Sequence, residues 1–131
     1  MHELSLANNI IDQVCETGRL HRAEKIISVR VLIGPLSGVG PDPLEFCFTE
    51  VSMGTLAEGA LLIMEKSPLV IKCLHCEKES EVTPDNLLCP HCNHYEVLVL
   101  SGLEFKIIDL EVFQCVKTVA AKKEINGHIL E

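Results

Sequence analysis

Basic side chains are scarce in this sequence. It has 11 Lys and Arg residues against 19 Asp and Glu residues, which gives a formal net charge of −8 at pH 7. The shortage continues from residue 72 to residue 100, where the charged residues are Lys72, Lys78, Glu77, Glu79, Glu81, Asp85 and Glu96. A surface with this balance repels the phosphates of a nucleic acid. The composition therefore argues against a nucleic-acid partner and favours a protein or a cation.

Long apolar runs are also missing. The longest, Ala60–Met64 and Val97–Leu100, are short and strand-like, whereas a membrane-spanning helix needs about 18 apolar residues or more. The opening residues, MHELSLANNIID, contain no Lys or Arg and carry the acidic Glu3 and Asp12, so they lack the pattern of a secretory signal. We therefore expect a cytoplasmic protein that does not enter a membrane and whose cysteines are reduced.

Catalytic motifs are absent as well. The sequence has no serine in a nucleophile-elbow motif and no glycine-rich loop of the Walker type that would cradle a phosphate. These absences predict that the protein is not an enzyme and that any nucleotide hydrolysis comes from a partner.

Four of the seven cysteines form two matched pairs, Cys73 with Cys76 and Cys89 with Cys92. Two residues between paired cysteines let one tight turn present both sulfurs to a single cation. Zn²⁺ suits four thiolates, and four protein ligands leave no open position at which a water could be activated. The spacing therefore predicts a structural zinc site held by all four cysteines.

Two disulfides are the alternative to a metal. An odd number of cysteines, a chain of 131 residues that can fold without cross-links and a reducing compartment all favour the metal. Iron stays possible, because rubredoxin-type sites use the same four sulfurs, although only Tyr95 supplies an aromatic side chain nearby. We expect His75 and His91 to face solvent, and Cys15 and Cys47 to be small core residues.

The apolar pattern predicts an early helix over residues 3–17 that ends at Gly18. Its apolar face is expected to contain Leu4, Ala7, Ile11 and Val14, with Leu6 and Ile10 beside them. A second helix is predicted to start with Asp42 as its cap and Pro43 in the first turn, and to run to Gly54. Its apolar face is expected to contain Leu44, Phe48 and Val51, with Phe46 adjacent.

Alternating apolar residues predict the strands. The first covers residues 25–34, with Ile27, Val29, Val31 and Ile33 on one face. Further strands are expected over residues 60–66 and 104–113. Residues 69–72 are expected to lead into the first Cys pair, and the chain to return from the second pair through the strand-like residues 97–100. This order predicts an α+β fold: a small mixed sheet with two helices, and an inserted zinc-ribbon-like module with two CxxC knuckles.

The same order predicts three regions. An α+β domain is expected to use residues 1–70 and 101–113, and the zinc module to occupy residues 71–100 between them. For residues 114–131, a short helix followed by a turn at Asn126-Gly127 is one alternative, and a mobile tail is the one we favour.

The amino terminus carries a second candidate metal site. His2 places an imidazole where it can share one ion with the terminal amine and a deprotonated backbone amide, and the Glu3 amide or carboxylate can complete a square. A nitrogen-rich square-planar set selects Ni²⁺ or Cu²⁺. The alternative is that His2 is merely an exposed terminal residue.

Taken together, these motifs resemble the HypA/HybF family of hydrogenase nickel-incorporation proteins. The resemblance covers residues 1–113. It consists of Met1-His2-Glu3 with Ser5-Leu6, Ile33-Gly34, Ser37-Gly38-Val39, Phe46, Phe48, Ala57-Glu58-Gly59-Ala60, both Cys pairs, Ser101-Gly102, Glu104, Ile107 and Leu110-Glu111-Val112. The paired cysteines alone are generic, whereas their combination with the opening tripeptide is specific.

The resemblance implies a nickel metallochaperone. Its cargo Ni²⁺ would be held at His2 and Glu3, and its Zn²⁺ would be structural. The implied partners are a HypB-like hydrogenase maturation GTPase and the large subunit of a nickel-iron hydrogenase, and a homodimer is possible. Some family members are thought to use an acidic residue before the second helix as a further nickel ligand. Asp42 is the nearest such residue, although capping is the other explanation for it.

A rival function stays open at this point. The chain could be an adaptor whose zinc ribbon recognises a protein or nucleic acid, with His2 incidental. The acidic ribbon and the family resemblance favour the metallochaperone.

Overall fold

The computed structural model describes residues 2–114, 124–125 and 128–129. The helices are α1 (Glu3–Leu20) and α2 (Pro41–Ser52). The strands are β1 (Lys25–Ile33), β2 (Leu61–Lys66), β3 (Val70–Cys73), β4 (Glu79–Glu81), β5 (Val97–Ser101), β6 (Phe105–Phe113), β7 (Glu124–Ile125) and β8 (His128–Ile129). Of the helices in the described part of the chain, none is long and apolar enough to cross a membrane.

The strands form small sheets. One has the order β2-β1-β6 and a second has the order β4-β3-β5, in which both pairings are antiparallel. The chain divides into two compact units. The first consists of Met1–Val31, Val39–Met64 and Lys106–Glu131, and the second of Leu32–Gly38 and Glu65–Phe105. The predicted α+β class, with a module between β2 and β6, is confirmed.

Helix α1 forms where its apolar periodicity predicts, but it is longer than expected. Gly18 was predicted to stop it, whereas the helix continues to Leu20. Gly18 is buried, and a Cβ there would lie 3.4 Å from Leu56 Cδ1 and 3.6 Å from Ile26 Cδ1. These are ordinary van der Waals distances, so the packing there does not require a glycine. The left-handed turn after the helix falls at Arg22, with φ of 59°. The prediction for Leu4 was also wrong, because its side chain is exposed.

Strand β1 is the central strand of the β2-β1-β6 sheet. Val29, Val31 and Ile33 are buried as predicted, but Ile27 is exposed and Ile26 is buried in its place. The alternation of faces changes phase between Ile26 and Val29, and a period-2 pattern read from the sequence cannot anticipate such a change.

Helix α2 packs against α1 and begins earlier than predicted. Its N-cap is Gly40, and Pro41 occupies the first helical position, so the expected capping role of Asp42 was wrong. Leu44 and Phe48 are buried as expected, whereas Phe46 is exposed.

Two backbone segments of the second unit, residues 34–36 and 102–104, lie very close together. The Gly34 N–H donates to the Glu104 carbonyl at 2.7 Å, and the Leu36 N–H donates to the Gly102 carbonyl at 2.7 Å. A Cβ on Gly34 would lie 2.2 Å from that Gly102 oxygen. Only glycine fits there, since no other residue allows the two backbones to approach so closely.

The short strands β3, β4, β7 and β8 were not predicted. Strand β4 pairs with β3 next to the first cysteine pair, but its sequence Glu-Ser-Glu carries no apolar alternation. Strands β7 and β8 pair with each other on either side of residues 126–127. The prediction of a mobile tail otherwise falls on residues outside those described.

Candidate metal centres

The sulfur atoms of Cys73, Cys76, Cys89 and Cys92 come together in the second unit. All four lie within 4.8 Å of one another. Cys73 Sγ is 3.6 Å from Cys92 Sγ, and Cys76 Sγ is 3.7 Å from Cys89 Sγ. A tetrahedral Zn²⁺ with Zn–S bonds of about 2.3 Å requires S···S distances of about 3.8 Å. The donor set therefore fits one tetrahedral ion.

The two knuckles have the same backbone geometry. In the first, the Glu77 N–H donates to the Cys73 carbonyl at 2.9 Å, and in the second the Asn93 N–H donates to the Cys89 carbonyl at 2.8 Å. Glu77 and Asn93 each have φ of 65°, in the left-handed region. Each knuckle thus turns back sharply after its second cysteine, and this turn brings the two sulfurs of a pair together.

Backbone N–H groups point at the first sulfur of each knuckle. The N–H groups of His75 and Cys76 lie 3.3 and 3.4 Å from Cys73 Sγ, and the His91 N–H lies 3.3 Å from Cys89 Sγ. Such donors stabilise a thiolate, because they place positive charge beside the sulfur.

The four thiols differ in pKa because their surroundings differ. The Cys76 N–H, opposed by desolvation and helped by the His75 N–H, lowers the pKa of Cys73 to about 6. The N–H of His94 acts in the same direction on Cys92, but desolvation and the three neighbouring thiols outweigh it and raise the pKa of Cys92 to about 12. The cluster alone therefore cannot ionise completely at neutral pH, and a divalent cation supplies the missing positive charge.

The histidines near the centre behave as expected. His75 and His91 are exposed, and neither belongs to the cluster of sulfur ligands. The ring of His75 stacks on that of His94 at 4.7 Å, and His94 stacks on Tyr95 at 4.9 Å. His75 and His94 come from different knuckles, so this contact packs one knuckle against the other.

The second candidate site begins at His2. Its imidazole is exposed, and His2 is the N-cap of α1 without making a capping hydrogen bond through its side chain. Its carbonyl accepts the first helical bond, from the Leu6 N–H at 2.9 Å. The backbone of His2 is thus fixed to the helix, while the imidazole points to solvent.

Glu3 makes a contact that sequence reasoning missed. Its Oε2 accepts a hydrogen bond of 2.8 Å from the Gly40 N–H. This bond is the main reason why the pKa of Glu3 is lowered, and the nearby terminal amine and His2 act in the same direction. The start of α2 is therefore held against the second candidate site. Gly40 brings no side chain to cap the start of α2, and Glu3 supplies the acceptor instead.

Asp42, the acidic residue that the resemblance suggested as a further nickel ligand, lies in the first turn of α2 and is exposed. It follows Gly40 by two residues, so it belongs to the same helix start that Glu3 contacts. Its role as a ligand stays a prediction.

Known proteins are similar to this chain in sequence. A family model described as "Hydrogenase/urease nickel incorporation, metallochaperone, hypA" matches residues 1–112. The hydrogenase maturation factor HypA of Aquifex aeolicus is 41% identical over 86% of this chain and 99% of its own length. The HypA of Rhizobium leguminosarum is 40% identical over 86% of this chain and 99% of its own length.

Solved structures agree on the fold. The solution structure of the nickel metallochaperone HypA from Helicobacter pylori matches with a TM-score of 0.62 and 23% identity, covering 87% of this chain and 99% of that one. A second HypA solution structure gives a TM-score of 0.63 and 25% identity, covering 86% of this chain and 96% of that one. With the family model matched over residues 1–112, the chain belongs to the HypA family of metallochaperones that incorporate nickel during hydrogenase maturation.

Proposed function

We propose that this protein carries Ni²⁺ at its amino terminus and hands it to a nickel-iron hydrogenase during maturation. The terminal amine, backbone nitrogen and the His2 imidazole bind the ion, and Glu3 completes the set. The observation that best supports the proposal is the exposed imidazole of His2 on a backbone fixed by the start of α1.

The start of a helix suits this chemistry. The first N–H groups of an α-helix have no acceptor in the i−4 ladder, so deprotonating the amides of His2 and Glu3 breaks no bond of that ladder. Ni²⁺ and Cu²⁺ offset the cost of removing an amide proton, because they favour square-planar nitrogen ligands. Zn²⁺ gains nothing comparable. The site is thereby selective for the cargo over the structural metal.

We assign the Zn²⁺ to Cys73, Cys76, Cys89 and Cys92. When bound, it would neutralise the thiolates and tie the two knuckles together. A closed set of four protein ligands leaves no position for exchange or catalysis. The cysteines therefore hold the structural metal, and the amino-terminal residues hold the cargo.

Delivery of the Ni²⁺ requires two functions that we assign to partner proteins. We propose that a HypB-like GTPase supplies nucleotide hydrolysis and that the large subunit of a nickel-iron hydrogenase receives the Ni²⁺. The net charge of −8 argues against a nucleic acid in this role. We further propose that the protein acts in the cytoplasm, that it has no enzymatic activity of its own, and that a homodimer is a possible assembly.

The test is calorimetry of Ni²⁺ binding to untagged protein that begins at Met1, with His2→Ala as the variant. We expect loss of the specific nickel site, because the imidazole closes the chelate, while zinc content and circular dichroism stay unchanged. His21→Ala is the matched control, since His21 is the C-cap of the same helix. It should bind Ni²⁺ like the wild type.

Equal nickel affinity in the wild type and His2→Ala would contradict the site. One extra residue before Met1 offers a second check, because it converts the amine to an amide and shifts the imidazole out of register. In cells, His2→Ala should abolish nickel delivery to hydrogenase, with at most partial rescue by excess nickel.

A further inference from the structure

The N-terminus of α2 lacks the capping groups that helices usually carry. Its N-cap is Gly40, which has no side chain to accept a hydrogen bond, and Pro41 fills the first helical position. In a capping box, a Glu or Gln at the third helical position bonds to the N–H of the N-cap residue. Here that position is Pro43, which cannot do so.

A residue from the other helix makes the missing bond. Glu3, the first residue of α1, accepts from the Gly40 N–H at 2.8 Å. The carboxylate also lies at the positive end of the α2 dipole, where an anion is stabilising. Glu3 thus does for α2 what the third residue of a capping box does within one helix.

The space around Gly40 is shaped for this contact. A Cβ on Gly40 would lie 3.2 Å from Cδ and Cγ of Pro43 and 3.3 Å from Oε2 of Glu3. Those distances are tighter than ordinary van der Waals contact. A side chain at position 40 would therefore press against both the first turn of α2 and the carboxylate.

We propose that Glu3 is a positioning residue that couples nickel binding at the amino terminus to the start of α2. Its carboxylate stays on the Gly40 N–H and holds the His2-Glu3 backbone in place for chelation. This inference rests on the proposed function. A chelate built from consecutive backbone atoms gains affinity when those atoms are ordered beforehand. Coupling is reciprocal, so bound nickel must in turn order the start of α2.

The first arm of the test needs no nickel. Amide hydrogen exchange of zinc-loaded protein should be faster at Gly40 in Glu3→Ala than in the wild type, and Glu3→Gln should keep most of the protection, because its amide oxygen still accepts. Glu45→Gln is the control, since it removes one negative charge from α2 without touching this contact. Unchanged exchange at Gly40 in Glu3→Ala would overturn the cap.

The second arm measures Ni²⁺ affinity by calorimetry. Glu3→Ala and Glu3→Asp should each bind roughly tenfold more weakly than the wild type, because neither side chain spans the distance to Gly40. Glu3→Gln should stay within about threefold of the wild type. Gly40→Ala should weaken binding too, although it alters no residue of the chelate.

The outcomes separate the two claims. If Glu3→Gln loses as much affinity as Glu3→Ala while Glu3→Asp does not, the carboxylate is a nickel ligand and the positioning role is overturned. If wild type and His2→Ala bind Ni²⁺ equally, the proposed function fails and the coupling fails with it, whatever the first arm shows. Slower Gly40 exchange on adding Ni²⁺ to the wild type, but not to Glu3→Ala, is the result that supports the coupling directly.

Discussion

The two metal centres of this chain are built in opposite ways. The cysteine centre takes its ligands from two matched turns, Cys73–Glu77 and Cys89–Asn93, each closed by the same backbone hydrogen bond. The amino-terminal site uses consecutive residues at a helix start, with an exposed His2 and a hydrogen bond from the Gly40 N–H to Glu3. The first arrangement suits an ion that stays. The second suits an ion that must be released, because an open chelate can be dismantled by protonation or by a competing ligand.

Removing one ligand from the cysteine centre should have the largest effect. Cys73→Ala leaves three thiolates and removes the sulfur that receives the His75 and Cys76 N–H groups. We expect the purified variant to contain little zinc, whereas the wild type contains one per chain with a sulfur-only shell. Elemental analysis and X-ray absorption measure both. Cys15→Ala is the matched control, because Cys15 is buried in α1 away from the cluster.

Stripping the zinc from the wild type should unfold residues 71–100 and spare the α+β domain. In that span the fully buried apolar residues are Ile71, Cys73 and Cys89, so two of the three are proposed zinc ligands. Without the ion, too little apolar burial remains to offset the entropy of ordering the chain.

Hydrogen exchange of the metal-free protein tests this proposed domain boundary. Amides of α1 should stay protected while those of β3, β4 and β5 exchange freely. Equal loss of protection in both regions would show that the protein unfolds as one cooperative unit.

Sequence reasoning identified the cysteine centre and the longer helices and strands because both depend on local spacing. The CxxC pairs and the alternation in β6 are short-range signals, and the structure confirms the cluster. The errors came from tertiary contacts. Gly18 lies inside α1 and packs near Ile26 and Leu56, while the left-handed turn falls at Arg22 instead. Burial switched from Ile27 to Ile26 where β1 changes phase.

The link between Glu3 and Gly40 could not be predicted for a related reason. The two residues are 37 positions apart, and neither carries a pattern that specifies the other. Asp42 looked like the cap because Asp before Pro is a common helix start. The fold instead placed the cap two residues earlier, at Gly40, and took its acceptor from α1.

The number of protons that zinc displaces should show whether the metal-free module is folded. In the folded module a pKa of about 6 makes Cys73 a thiolate at pH 7.5, whereas Cys92, with a pKa of about 12, is protonated. Because residues 71–100 are expected to unfold without zinc, their four thiols should have the ordinary pKa of about 8.5, and zinc binding should release close to four protons at pH 7.5. Release of about three protons or fewer would show that the metal-free module stays folded. Calorimetry in buffers of different ionisation enthalpy measures the number.

The lowered pKa of Cys73 also determines how the stability of the folded module changes with pH. This lowered pKa favours the folded over the unfolded module above the thiol's unfolded pKa of about 8.5, and this contribution is lost as pH falls through about 6. It is one part of the stability of the folded module, and we do not expect it to keep residues 71–100 folded once the zinc is removed.

The smallest expected effect compares the two knuckles directly. Glu77 and Asn93 occupy the same left-handed position, each with φ of 65°. Asn tolerates that conformation, whereas a longer side chain such as Glu is strained by roughly 1 kcal/mol. Glu77→Asn should therefore stabilise the module by about 0.7 kcal/mol, which is about threefold in zinc affinity. The reverse change, Asn93→Glu, should weaken zinc binding by a similar factor. Chelator competition measures both, and equal affinities in the two variants would show that the left-handed turns carry no strain that depends on the side chain.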